Sequence, residues 1–254
     1  MTKIIVVANQ KGGVGKTTTV ANLGSALHAM KKRVLLIDLD PQAALTATYG
    51  LDPYNLPRSV YSLLTSEMSS LARILRPAGR DTMAIAPASV DLAAAELHLI
   101  NADRRAYRLR DAIENSHIPF DFMLIDTPPS LGLLTLNGLV AATHVMVPVQ
   151  CHYLAMRGVR ALMETIWRVK RRLNPELRLL GLLPTMYDPS SQHATEVIKE
   201  LRQVFGQKVF DVIIKNSIQF AEAPVLNQAL IDYDPHHEGA IAYRRLAEVI
   251  AIHE

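Results

Sequence analysis

The residues best suited to chemistry lie in one stretch near the start of this 254-residue chain, Gln10 to Thr18, which reads QKGGVGKTT. Gly12, Gly13 and Gly15 let a backbone curl tightly and bring its N–H groups against a ligand. Lys16 supplies a point charge for β- and γ-phosphates, and the Thr17 hydroxyl is the kind of group that ligates the accompanying Mg²⁺. The strict pattern G-x-x-x-x-G-K-[ST] would need glycine where Gln10 stands; this loop has a second lysine, Lys11, beside it. The elements that must hold such a loop are present. Ile4 to Ala8 is an unbroken apolar run, as in a parallel strand buried on both faces. Val20, Leu23, Ala26 and Leu27 then recur at helical spacing, so the phosphates would face a helix N-terminus.

Carboxylates follow at the ends of two further apolar runs. Val34 to Ile37 leads into Asp38-Leu39-Asp40-Pro41-Gln42, and Phe120 to Asp126 reads FDFMLID. Acids at the carboxyl ends of parallel strands lie beside the crevice where α/β proteins bind ligands. Asp126 fits the position whose carboxylate holds Mg²⁺, often through water, and Asp38 is expected to support the same ion. Asp40 is expected to orient or polarise an attacking water. Thr127-Pro128-Pro129-Ser130 forms a stiff turn placed to sense a γ-phosphate.

Strand and helix patterns alternate through the chain. Helices are expected over Thr17–Met30, Ser59–Leu64, Leu71–Leu75, Ala93–Ile100, Arg104–Ile113, Leu131–Ala141, Met156–Leu173, Ser191–Phe205 and Gly239–His253. Further strands are expected over Thr82–Ala86, His144–Gln150, Leu177–Thr185 and Lys208–Ile214. This predicts a single α/β domain over residues 1–254: one doubly wound, mostly parallel sheet flanked by helices. Hydrophobic residues make up 49% and charged residues 20%, with no run long enough to cross a bilayer, which predicts a soluble, cytoplasmic protein. The formal charge is only +3. Affinity for nucleic acid must therefore come from local clusters of Lys and Arg. Arg104, Arg105, Arg108 and Arg110 read as a solvated face, with a partner surface as the lesser use. Arg168, Lys170, Arg171 and Arg172 complement a helix dipole. Trp167 is expected to pack at the core or its edge, and Cys151, the single cysteine, to be an inert buried thiol. His236 and His237 have no third ligand at sensible spacing, so no transition metal is assigned.

KGGVGKTTT, with its extra lysine, is identified as the deviant Walker A motif of the ParA/MinD family of P-loop ATPases. The resemblance to the ParA/Soj branch runs along nearly the whole chain, through LLIDLDPQ at Leu35–Gln42, MLIDTPPS at Met123–Ser130, VPVQ at Val147–Gln150, TMYD at Thr185–Asp188, AEAP at Ala221–Pro224 and AYRRLA at Ala242–Ala247. It implies ATP and Mg²⁺ as cofactors, with Lys11, Gly12, Gly13, Val14, Gly15, Lys16, Thr17, Thr18, Met186 and Asn216 at the nucleotide. Lys11, Lys16 and Asp40 carry the hydrolysis, and Thr17, Asp38 and Asp126 hold the metal. The family implies a homodimer on ATP binding, with Lys11 reaching the phosphates of the other subunit. It further implies non-specific binding to double-stranded DNA, nucleoid association, and chromosome or plasmid partition with a ParB/Spo0J-type protein that stimulates hydrolysis.

The chain resembles the short form of the family, which lacks an N-terminal operator-binding domain. It departs from the pattern in one place. Close Soj-like relatives carry IPRNVRLSEAP where this chain reads IKNSIQFAEAP at Ile214–Pro224, so two expected DNA-contact arginines fall on Asn216 and Gln219. Lys199, Arg202 and Lys215 are the replacements expected from local basicity. The rival readings are a ParA-like positioner of another cargo, a MinD-like membrane-associated positioner, and a P-loop metabolic ligase. A MinD-like tail would need a detachable amphipathic helix, whereas Ala240–Ile252 reads as docked, so no stable membrane association is expected.

Overall fold

Strands form where the apolar runs are. The computed structural model describes residues 2–66, 70–79, 83–152 and 155–252. In chain order the elements are β1 (Lys3–Val7), α1 (Lys16–Ala29), β2 (Val34–Asp38), α2 (Ala44–Thr48), α3 (Val60–Thr65), α4 (Leu71–Ile74), β3 (Arg76–Pro77) and β4 (Met83–Ala86). Next come α5 (Ala95–Leu99), α6 (Arg108–Glu114), β5 (Phe122–Asp126), α7 (Leu133–Ala141), β6 (His144–Gln150), α8 (Ala155–Arg172) and β7 (Arg178–Thr185). The chain continues through α9 (Gln192–Phe205), α10 (Gln219–Glu222), α11 (Leu230–Tyr233) and α12 (Glu238–Ile252). Thr82 and His253, at the ends of an expected strand and helix, lie outside the described residues.

The strands form one sheet in the order β3-β4-β2-β5-β1-β6-β7, parallel except for the short β3–β4 pair. Period-2 alternation sorts side chains between its faces. Ile5, Val7, Leu36 and Leu124 pack against Val20, Leu23 and Leu27 of α1 and Tyr243, Leu246 and Ile250 of α12. Val6, Leu35, Ile125 and Val147 face the other way, toward Leu64 of α3, Leu139 of α7, and Leu162 and Ile166 of α8. Each fully buried Leu or Val contributes about 1.5–3 kcal/mol. A Cβ at Gly24 would lie 2.7 Å from Leu36 Cδ2, so glycine lets α1 approach β2 at that point.

Register fixes the site. Val7 pairs with Asp126 and Asp126 with Asp38, so three strands end at one level. The chain leaves β1 between β5 and β6, on opposite sides of which the earlier and later strands lie, and ligands of open α/β sheets bind at such switch points. Among the described residues no helix is long and apolar enough to cross a membrane.

Several expectations are corrected. Lys208–Ile214 is not a strand: it meets β7 at the isolated bridge Leu182–Val209, and a second bridge, Tyr187–Lys215, falls just beyond both segments. Phe210 N and Ile214 N donate to the carbonyls of Leu182 and Pro184, but Pro184 has no N–H to return, and the ladder fails there. The helix expected from Arg104 begins at Arg108, because Arg104 is left-handed (φ 53°) with its guanidinium on Asp111. Arg110 pairs with Glu114, so this basic run is partly neutralised in place. Trp167 is 60% exposed and is not a core residue. His237 is half-buried, with Nε2 3.1 Å from Ser217 Oγ and its ring edge-on to Phe220. Among the described residues no group of His, Cys, Asp and Glu side chains forms a transition-metal cluster.

Candidate nucleotide site

The loop between β1 and α1 adopts the conformation its glycines permit: Gly13 and Gly15 have φ of +68° and +85°, where a side chain would strain the backbone. Gly15 leads directly into α1, so the free N–H groups of the first turn face the loop. Lys16 Nζ turns back over the loop and donates to Lys11 O at 3.3 Å. Burial lowers the Lys16 pKa, and the nearby Asp126 and Asp40 oppose that shift. A desolvated ammonium held inside the loop is well placed for a phosphate.

Lys11 points elsewhere. Its backbone N donates to Asn9 Oδ1 (3.0 Å), while its ammonium lies exposed and donates to Gln150 Oε1 at the end of β6 (2.7 Å). Asn9 Nδ2 also donates to Pro148 O at 2.7 Å, tying the loop to β6. Thr185 Oγ1 donates to Val14 O at 2.9 Å and ties it to β7. Asn9, Gln150 and Thr185 were not singled out in the sequence. The signal for two of them was available, since Gln150 ends VPVQ and Thr185 opens TMYD.

Asp126 is completely buried, and its Oδ2 accepts from Thr17 Oγ1 at 2.7 Å. Its Oδ1 is buried with no hydrogen-bond partner. An orphaned carboxylate oxygen beside a threonine hydroxyl and a phosphate loop is a set of hard oxygen donors that fits Mg²⁺, which keeps several waters and takes few protein ligands. Burial raises the Asp126 pKa far above the usual carboxylate range, and Asp38 on the adjacent strand raises it further.

Asp38, on the strand beside Asp126, accepts at Oδ1 from Asp40 N (3.0 Å) and at Oδ2 from Thr46 N (2.9 Å) and Thr46 Oγ1 (2.7 Å). It holds the β2–α2 loop, and burial raises its pKa as well. Asp40 is thereby positioned: its Oδ1 accepts from Gln42 N at 2.9 Å, and its Oδ2 has no protein donor among the described residues.

Met186 and Asn216, placed at the nucleotide by resemblance, line one cavity with Gly15 and Thr18. A cavity of about 420 Å³ runs from Gly15 and Thr18 past Thr185 and Met186 to Ile214, Asn216, Phe220 and Tyr243. Met186 is left-handed (φ 50°), a cost of about 1–3 kcal/mol that functional sites often carry. The basic residues fare differently. Arg202 pairs with Asp211 at 3.0 Å and Lys215 with Glu238 at 2.7 Å, all exposed, while Lys199 is exposed without an ion pair among the described residues.

Cys151 is buried, and its thiol is pushed up to about 11 by that burial, an unreactive cysteine as expected.

Known proteins resemble the chain over nearly its full length. A family model described as an AAA domain matches residues 2–179. The chain is 40% identical to the chromosome partitioning protein ParA of Myxococcus xanthus, over 96% of this chain and 86% of that one. It is 39% identical to the sporulation initiation inhibitor protein Soj of Bacillus subtilis, over 99% of each. A crystal structure named as cobyrinic acid a,c-diamide synthase from Mycobacterium smegmatis, with bound ADP and magnesium, superposes with a TM-score of 0.88 at 42% identity, covering 100% of this chain and 95% of that one. With a phosphate loop, an orphaned Asp126 oxygen and these relatives in hand, the chain belongs to the ParA/Soj family of P-loop ATPases, and its cofactors are ATP and Mg²⁺.

Proposed function

We propose that this protein is a nucleotide-driven switch that dimerises on ATP, binds double-stranded DNA non-specifically in the cytoplasm, and drives chromosome or plasmid partition with a ParB-type partner that stimulates hydrolysis of ATP to ADP and phosphate. The observation that carries this reading is the divergence of the two loop lysines: Lys16 turns into its own loop, whereas Lys11 turns outward to Gln150. An exposed cation at the rim of a phosphate site is available to a second subunit.

In this reading Lys16 and the Gly12–Thr18 backbone hold the phosphates. Thr17 and Asp126 would hold Mg²⁺, which would supply positive charge against the phosphates. Asp40, with one carboxylate oxygen free, orients the attacking water, and Asp38 keeps it there. A cation supplied in trans stabilises the transferring phosphoryl and is worth roughly 10³ to 10⁵ in rate when it is an arginine finger. The test uses Asp40→Ala, expected to bind ATP and turn it over slowly. ATP should shift this variant from monomer to dimer in sedimentation, and adding Lys11→Ala should abolish the shift. A dimer that forms equally well without Lys11 defeats the trans role.

The name of the M. smegmatis structure favours a second reading, a P-loop ligase acting on a small carboxylic substrate. ATP turnover separates the two: the first expects stimulation by duplex DNA with the partner protein, the second by the carboxylic acid.

A further inference from the structure

The charge of this molecule is unevenly distributed. By sequence, α8 carries six basic residues and one acid, Glu164, while the whole chain is only +3, so the rest of the chain is net acidic. At helical spacing Arg160, Trp167, Arg168 and Arg171 share, with the exposed Glu164 among them, the face of α8 turned away from Val159, Leu162, Ile166 and Val169, which enter the core. Each of these four is exposed, as is Arg172.

Four arginines elsewhere pair with carboxylates, Arg33 with Asp121, Arg104 with Asp111, Arg110 with Glu114 and Arg202 with Asp211, while other exposed arginines such as Arg58, Arg73 and Arg245 stand singly along the chain rather than in a cluster. The side chains of Arg160, Arg168, Arg171 and Arg172 have no ion pair or hydrogen bond among the described residues. Amid them stands Trp167, 60% exposed and the only tryptophan in the chain. The helix dipole accounts for cations in the last turn. It does not account for Arg160 two turns earlier, nor for a bared indole.

We propose that this face of α8 is a docking surface for an acidic, amphipathic segment of a partner protein, anchored on Trp167. Arginine guanidiniums bind carboxylates in bidentate fashion, and tryptophan and arginine dominate the residues that carry interface energy. A duplex would satisfy the arginines but offers nothing to an indole on a convex helix. A protein helix with acids on one flank and a leucine at its centre satisfies both. Because α8 returns antiparallel between the parallel strands β6 and β7, Arg168 to Arg172 lie toward the end of the sheet opposite the phosphate loop. Docking here leaves the nucleotide site open and needs neither ATP nor DNA.

Trp167 reports on its own surface, since no other tryptophan contributes to the emission. The full chain is titrated with a synthetic helix carrying leucines on one face and glutamates flanking them, with the same helix in which serine replaces leucine, and with random-sequence duplex DNA. The leucine helix should shift Trp167 emission to the blue and saturate. Arg168→Glu with Arg171→Glu should weaken it by about tenfold or more, with unchanged melting and basal ATP turnover. Followed by anisotropy of a labelled helix, Trp167→Ala should lose about thirtyfold, the weight of a hot-spot residue, and Trp167→Phe should recover most of that. A serine helix that binds as tightly overturns the anchor. Leucine-helix binding that is indifferent to the arginine reversals overturns the surface, and a response to duplex alone makes it a nucleic-acid face instead.

Discussion

Thr46 shows how much of the site depends on a residue that touches no ligand. Its hydroxyl donates to Asp38 Oδ2 at 2.7 Å and accepts from Ala88 N at 2.9 Å, and all of these groups are buried. Valine has nearly the same shape and neither bond. Thr46→Val therefore removes one donor from a buried carboxylate and leaves a buried backbone N–H without its acceptor, each worth about 1–3 kcal/mol. The urea midpoint should fall by the equivalent of roughly 2–6 kcal/mol with an unchanged slope, and Thr46→Ser should lose much less. An unchanged midpoint in the valine variant would mean that water or a shifted backbone replaces both bonds. At this scale the sequence was only partly legible. Lys16, Thr17 and Asp126 stand where the glycine loop and the acid-terminated run put them. The hydrogen bonds of Asp38 were not legible, because its partner Thr46 lies eight residues on, in a helix that the mixed signal after Ala43 did not disclose.

At the scale of elements, β2 and β5 run side by side and end on a cross-strand pair of carboxylates, Asp38 and Asp126, both completely buried. Burial is the larger reason that each pKa rises, and each acid also raises the other or is raised by Asp40. A carboxyl whose pKa is higher folded than unfolded contributes stability that is fully present below its ordinary value near 4 and lost as pH rises through the folded value. Without nucleotide, Asp126→Asn should thus be more stable than the wild type at pH 8, and the advantage should shrink as pH falls. The asparagine keeps an acceptor for Thr17 but should lose the extra thermal stabilisation that Mg²⁺ adds to ATP. A melting difference that does not vary with pH would show that Asp126 is ionised at no cost. Elements were the most legible level. β6 spans His144–Gln150 as expected, and α1, α8 and β7 differ from expectation by a residue or two. The segment after α9 misled because its apolar alternation reads as a strand, whereas Pro184 on the neighbouring strand withholds the donor that a ladder needs.

For the whole molecule, the DNA reading turns on how two paired cations behave. Exposed ion pairs such as Arg202–Asp211 and Lys215–Glu238 are worth about 0–1 kcal/mol, so a phosphate can displace the carboxylate, which nevertheless stays close and repels DNA. Removing the acid should then help: Glu238→Gln should tighten binding to random-sequence duplex, and Lys215→Glu should weaken it for all sequences alike, since phosphate contacts carry no base information. Each neutralised phosphate adds about −0.9 to the slope of log K against log salt, so three contacts per subunit predict a slope near −5 for the ATP-locked Asp40→Ala dimer and about half that for the monomer. Reversing Arg168 and Arg171 on α8 should leave this slope unchanged, because that face is assigned to an acidic protein. A dimer that fails to bind duplex at low salt would mean that Asn216 and Gln219, standing where close relatives carry arginine, mark a lost DNA surface. The outward Lys11 would then serve a switch that works on another scaffold.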